Sequence, residues 1–207
     1  LAAADFDNDL DIDFVSESSV NYMFDPNATL GINKYTTNPL PVHISWNLVG
    51  LPYLSGFDLL GATQDFAPYY YYNYTIKSYK PVMMDESYVV APFTSFFMQA
   101  WGAPNVISYN PARIALKAAI VNDYDEINIT VSNNKYSDEA RIRLKNDAKE
   151  GYELGNDAMK FMSPAKEVPQ IYTKTSGYNL SVNSLPINSK KVDLGVYIGE
   201  KGRYNLK

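Results

Sequence analysis

Apolar side chains in this chain recur at every second position rather than at helical spacing. From Ile127 to Ser132, Ile127, Ile129 and Val131 alternate with Asn128, Thr130 and Ser132. From Ala140 to Leu144, Ile142 and Leu144 alternate with Arg141 and Arg143. A period of two sends one set of side chains to each face of an extended segment, so both stretches are predicted as half-buried strands. Asn133-Asn134 falls between them, and Asn tolerates the positive φ of a tight turn. Phe6, Leu10, Ile12 and Phe14 take even positions against acids on odd ones, which predicts an N-terminal strand with one carboxylate face.

The same style fills the rest of the chain. Residues 43–51 read as a strand ended by Gly50 and Pro52. Residues 69–82 read as a hairpin, with Tyr69 to Tyr72 as one arm, Asn73 near the bend and Thr75 to Val82 as the return. Further strands are predicted at 87–91, 94–101, 105–109, 112–120, 159–162, 170–173, 178–183, 192–198 and 203–206. Residues 21–42, rich in Pro and Asn, read as a loop-rich connection. Short helical turns are predicted at 57–62 and within 146–158. Many short strands at close spacing predict an all-β fold, an antiparallel β-sandwich or jelly-roll-like architecture. Two packed units are expected, 1–112 with the Trp/Tyr-rich hairpins and 113–207. The boundary lies near Pro111 to Asn122, where aromatic density drops and charge rises.

Composition narrows the function classes. Apolar residues make up 46% and charged residues 20% of the 207 residues, a globular balance. Tyrosine is the outlier at 18 copies, and it favours strands and wet apolar surfaces. The formal charge of −5, with basic residues scattered, argues against nucleic acid. No apolar run approaches the ~18 residues of a membrane span. The absence of cysteine excludes disulfides, thiolate metal sites and cysteine nucleophiles.

Candidate chemistry is sparse. His43 is the only histidine, so a histidine-based triad or zinc site has one candidate, and a structural role is the first reading. Asp123, Asp125, Glu126, Asp138 and Glu139 could supply paired carboxylates for glycan hydrolysis, though acids in turns are usually just solvated. Asp5, Asp7 and Asp9 have the alternate spacing that aims three carboxylates at a hard cation. A calcium loop would continue with Gly and Glu where Leu10 and Ser16 stand, so an acidic strand end is the first reading. No cofactor is expected, with calcium at Asp5, Asp7 and Asp9 as the alternative. Trp46, Tyr53, Tyr70, Tyr72, Tyr74 and Trp101 form the candidate ligand-binding set, because aromatic faces stack on sugar rings. Alternate tyrosines of a strand face opposite ways, so at least one pair in the run must be packing.

The string Trp46-Asn47-Leu48-Val49-Gly50-Leu51-Pro52-Tyr53, the Tyr-rich hairpin, and Pro92 through Phe96-Phe97-Met98-Gln99-Ala100 resemble a recurrent pattern of secreted Bacteroidota surface proteins. There the pattern lies upstream of type IX secretion sorting domains. The segments Asp138 to Leu144, Tyr152 to Lys160, Tyr178 to Pro186 and Val192 to Val196 are similar to the β-sandwich that follows in those proteins. Coverage is roughly 43–207. Leu51 and Leu54 depart from the usual Asn and Pro, and no sorting domain is visible. The resemblance implies a β fold and export to the cell surface, outside the outer membrane. It leads to an expected non-catalytic binding or adhesion module with an extracellular glycan or protein partner. A structural spacer is the alternative, and a glycan-acting hydrolase the third reading.

Overall fold

The computed structural model describes residues 2–4, 13–15, 29–31, 46–50, 57–58, 68–83, 85–91, 93–99, 106–108 and 123–207. Of these, 2–4, 13–15, 29–31, 57–58 and 106–108 are described as backbone alone. The chain is all-β, with no helix among the described residues. The strands are β1 (Ala2–Ala4), β2 (Asp13–Val15), β3 (Thr29–Gly31), β4 (Trp46–Gly50), β5 (Phe57–Asp58), β6 (Tyr69–Asn73), β7 (Ser78–Val82), β8 (Val89–Val90) and β9 (Ser95–Gln99). They continue with β10 (Val106–Ser108), β11 (Asp125–Ser132), β12 (Ser137–Lys145), β13 (Ala158–Met159), β14 (Gln170–Thr175), β15 (Tyr178–Pro186), β16 (Asp193–Tyr197) and β17 (Asn205–Leu206).

Two principal sheets give a β-sandwich-like fold. The smaller has the order β4-β9-β6-β7, and the larger β16-β14-β15-β12-β11-β17 with β13 also paired to β15. Three two-stranded pairs, β1-β2, β10-β3 and β5-β8, accompany them. The predicted hairpins form. β6 pairs β7 from Tyr69↔Val82 to Asn73↔Ser78, and the Asn73 carboxamide accepts the N–H groups of Thr75 (3.0 Å) and Ile76 (3.3 Å) at the bend. β11 pairs β12 with Ile127 opposite Ile142 and Ile129 opposite Ala140, and the Asn133 side chain caps their turn through Lys135 and Tyr136.

Three expectations need correction. The large sheet is not purely antiparallel, because β12 and β15 run parallel, from Arg141↔Val182 to Lys145↔Pro186. β15 inserts between β12 and β14, a crossover that local alternation cannot reveal. Phe57–Asp58 is extended, paired with β8, not the start of a helical turn. Residues 146–158 hold turns and the start of β13 but no helix. The predicted strands at 5–12 and 112–120, together with His43, lie outside the described residues.

The sheets meet in a shared apolar cluster. Tyr70 and Met83, from the chain around the small sheet, pack with Ala158 and Val182 from the large one, and Trp46, Phe97 and Phe161 close over them. This cluster draws on both halves of the chain, while the residues of the 112/113 boundary lie outside the description. Charges cross the same junction. Arg143, only 3% exposed, donates to Glu126 (2.8 Å), Asp85 (3.0 Å) and Glu86 (2.5 Å), and Arg141 also pairs with Glu86. Burial works against the Arg143 charge, but Glu86, Asp85 and Glu126 outweigh it and hold its pKa above the ordinary value. Lys160 and Asp138 form a second pair with both side chains 1% exposed. Asp138 also accepts the Ile171 N–H at 2.8 Å and the Ser78 hydroxyl at 3.5 Å, so its oxygens are spoken for. Burial lowers the Lys160 pKa, and Asp138 opposes that shift.

Candidate functional site

The register of the small sheet sets its aromatic pattern. Leu48, Phe97, Tyr70 and Pro81 fall in line across the four strands, and Tyr72 lies opposite Tyr79 one step along the same face. One end of this face is pressed onto the large sheet: Tyr70 stacks on Phe161 at 4.3 Å with 8° between the planes, and Trp46 meets both rings. The other end opens into a groove of about 690 Å³. Tyr72, Tyr79, Phe97 and Leu48 line it from this face, and Tyr71 and Tyr88 reach it from the other face of β6. Tyr74, Phe93, Val90, Ala91 and Pro164 complete the apolar wall, with Thr94 and Ser95 supplying hydroxyls. None of the lining side chains among the described residues is charged.

The groove rings are held by one another. Tyr71 stacks on Tyr88 at 3.9 Å and 14°, and Tyr72 meets Tyr74 and Tyr79 edge-on, each at 5.0 Å. Burial raises the pKa of Tyr71 and of Tyr88, and in Tyr88 the neighbouring Tyr71 adds to it. Both phenols therefore stay protonated at neutral pH and can donate hydrogen bonds.

The rim is also fixed. Tyr74, 83% exposed, stands on the β6–β7 bend, and Lys77 of that bend pairs with Glu167 of the large-sheet side at 2.7 Å. The Ser163 hydroxyl donates to the Lys77 carbonyl, and Lys77 sits 5.3 Å over the Tyr136 ring. Phe93, also in the lining, sits at φ 58°, 58% exposed, in a bend where Thr94 donates to the Ala91 carbonyl through its N–H (3.3 Å) and its hydroxyl (2.7 Å). Positive φ in a bulky residue costs of order 1 kcal/mol. Here that cost goes with a large apolar ring held out in water.

A second groove, of about 590 Å³, shares Tyr79 and Phe97 with the first and is completed by Trp46, Phe161, Met159, Met162 and Tyr178 among others. The Tyr79–Phe97 pair, 6.3 Å apart, stands between the two.

The expected ligand-binding set divides. Tyr72 and Tyr74 line the first groove and Trp46 the second. Tyr70 is corrected: at 1% exposure it is a core residue, and burial holds its hydroxyl pKa well above the ordinary value. Tyr53, Trp101, Asp5, Asp7 and Asp9 lie outside the described residues. Among the described residues no group of three acidic or histidine side chains is placed to hold a metal ion. Of the acids considered for hydrolysis, Glu126 is committed to Arg143 and Asp138 to Lys160. Sequence reasoning passed over Tyr88, Phe93, Phe97 and Leu48. The apolar residues of β9 announced a strand, but only the register shows that Phe97 shares a face with Leu48 and Tyr70. Phe93 carried one usable signal, an aromatic directly after Pro92 in a bend.

No known protein family, curated protein or solved structure matches this chain. No helix among the described residues is long and apolar enough to cross a membrane.

Proposed function

We propose that this chain is a non-catalytic binding module of an exported cell-surface protein, and that its groove takes a neutral glycan. The supporting observation is the lining: tyrosine and phenylalanine rings with a few hydroxyls and, among the described residues, no charged side chain. Apolar C–H faces of pyranose rings stack on such rings, and hydroxyls exchange hydrogen bonds with the phenols. A uronic or sialic acid would lose water at its carboxylate with no cation in the lining to replace it. The resemblance of the Trp46 to Tyr53 and Pro92 to Ala100 strings to secreted Bacteroidota proteins is what supports the cell-surface part of this reading. Titration calorimetry with neutral and acidic oligosaccharides tests the reading. Binding of a neutral oligosaccharide, weakened about 10-fold or more by Tyr72→Ala or Tyr74→Ala, is the expected result, since a lost stacking partner costs roughly 1.4 kcal/mol or more. Preference for acidic glycans, or indifference to both substitutions, overturns it.

The close Tyr71–Tyr88 stack favours one other reading, a structural spacer in which the rings serve each other. A glycan panel without any heat of binding would leave that reading standing.

A further inference from the structure

We propose that strand β16 is a docking edge for a second copy of this chain, paired antiparallel about a two-fold axis through Gly195. β16 ends the large sheet and has one sheet neighbour among the described residues, β14. Its outer backbone N–H and C=O groups therefore face away from the sheet, as a template for another strand. Proteins usually blunt such an edge with lysine, proline or a bulge. Asp193–Tyr197 contains no lysine and no proline, and its register to β14 is unbroken from Lys174↔Asp193 to Gln170↔Tyr197.

The side chains favour a partner of the same sequence. Leu194 and Val196 share a face with Thr173 and Ile171, which are fully buried, yet they are 40% and 47% exposed. The buried apolar row of the sheet thus runs out into water at its last strand. A two-fold at Gly195 sets Leu194 of each copy opposite Val196 of the other, which continues the row on both sides. The centre of the strand is smooth: the Tyr172 ring lies across Gly195, where a Cβ would come within 2.2 Å of its Cε2. Asp193 falls opposite Tyr197, so no like charges meet within the strand. A heterologous peptide would have to supply this pattern, whereas the chain supplies it to itself.

Five residues on each side bury far less than the roughly 800 Å² per partner of a stable complex, so the dimer is weak and concentration-dependent. Sedimentation equilibrium on the intact chain, from about 10 µM to about 1 mM, tests the proposal. The expected result is a reversible monomer–dimer equilibrium that Val196→Lys or Leu194→Lys shifts at least about 10-fold toward monomer, with an unchanged far-ultraviolet spectrum. Because the chain has no cysteine, a Leu194→Cys/Val196→Cys double substitution offers an independent readout. Mild oxidation should give covalent dimers far faster than Ile127→Cys, whose site is also exposed. A monomer throughout the range, a dimer insensitive to both lysine substitutions, or cross-linking no faster than the Ile127→Cys control overturns the proposal.

Discussion

Strand β6 feeds two regions that use the same residue type in opposite ways. At the inter-sheet junction Tyr70 is buried and stacked on Phe161, and the charges nearby are paired: Lys160 with Asp138, Arg141 and Arg143 with Asp85, Glu86 and Glu126. At the groove Tyr72 and Tyr74 have ring neighbours but open faces, and no charge among the described residues lines the wall. The difference is between aromatic rings that hold the fold together and rings that the fold holds in place. Changes at the junction should therefore register in stability, and changes at the groove in binding.

The largest expected effect is at the junction. Asp138→Ala leaves the Lys160 ammonium buried without its counter-charge and removes the acceptor of the Ile171 N–H, for a loss of about 3–5 kcal/mol in urea unfolding. Adding Lys160→Met should recover much of that loss, since the penalty lies in the orphaned charge. A single-site loss below about 1 kcal/mol would mean that the buried pair contributes nothing specific.

The pH dependence comes next. Asp157 is completely buried and accepts the N–H groups of Glu153 (2.6 Å) and Ser184 (2.7 Å), yet burial pushes its pKa up from 3.8 to about 6. A raised native pKa means that the folded state holds the proton more tightly. The stabilisation is complete below about pH 4 and is lost as pH rises through 6, a change of roughly 3 kcal/mol. Compared with Asp157→Asn at each pH, wild-type stability should decline by that amount between pH 4 and pH 7. A constant difference would contradict the assignment.

At the groove the sign reverses. Phe93→Gly relieves the positive φ and should raise stability by about 1 kcal/mol while weakening ligand binding. The smallest effect is that of Tyr74→Ala, within about 0.5 kcal/mol in stability because the ring is exposed, with the loss appearing only in calorimetry. If either groove substitution destabilised the chain as a junction change does, the division between the two regions would fail.

Among the described residues, strand identity was legible where alternation was clean. Ile127 to Val131 and Ala140 to Leu144 lie within β11 and β12, and Asn133 closes the turn between them as its side-chain chemistry suggests. The Tyr69 to Val82 hairpin was legible for another reason: a run of strand-favouring tyrosines meets Asn73, whose side chain suits a bend. The parallel pairing of β12 with β15 was not, because pairing partners distant in sequence leave no local periodicity. Tyr70 was misassigned because it sits beside Tyr72 on one face of β6, and which end of that face is covered depends on Phe161, far along the chain. Phe97 and Tyr88 were missed for a related reason: a groove is a property of register, and register is not written in any one strand.

The parallel β12–β15 ladder has a kinetic consequence. Its members stand about forty residues apart, as in Arg141↔Val182. The hairpins β11–β12 and β14–β15 can form from neighbours in sequence, but the seam that joins them requires a long loop to close first. The middle of the large sheet should then be the last part to zip up on refolding. Until it does, β12 and β15 would each present an open side to any other chain nearby.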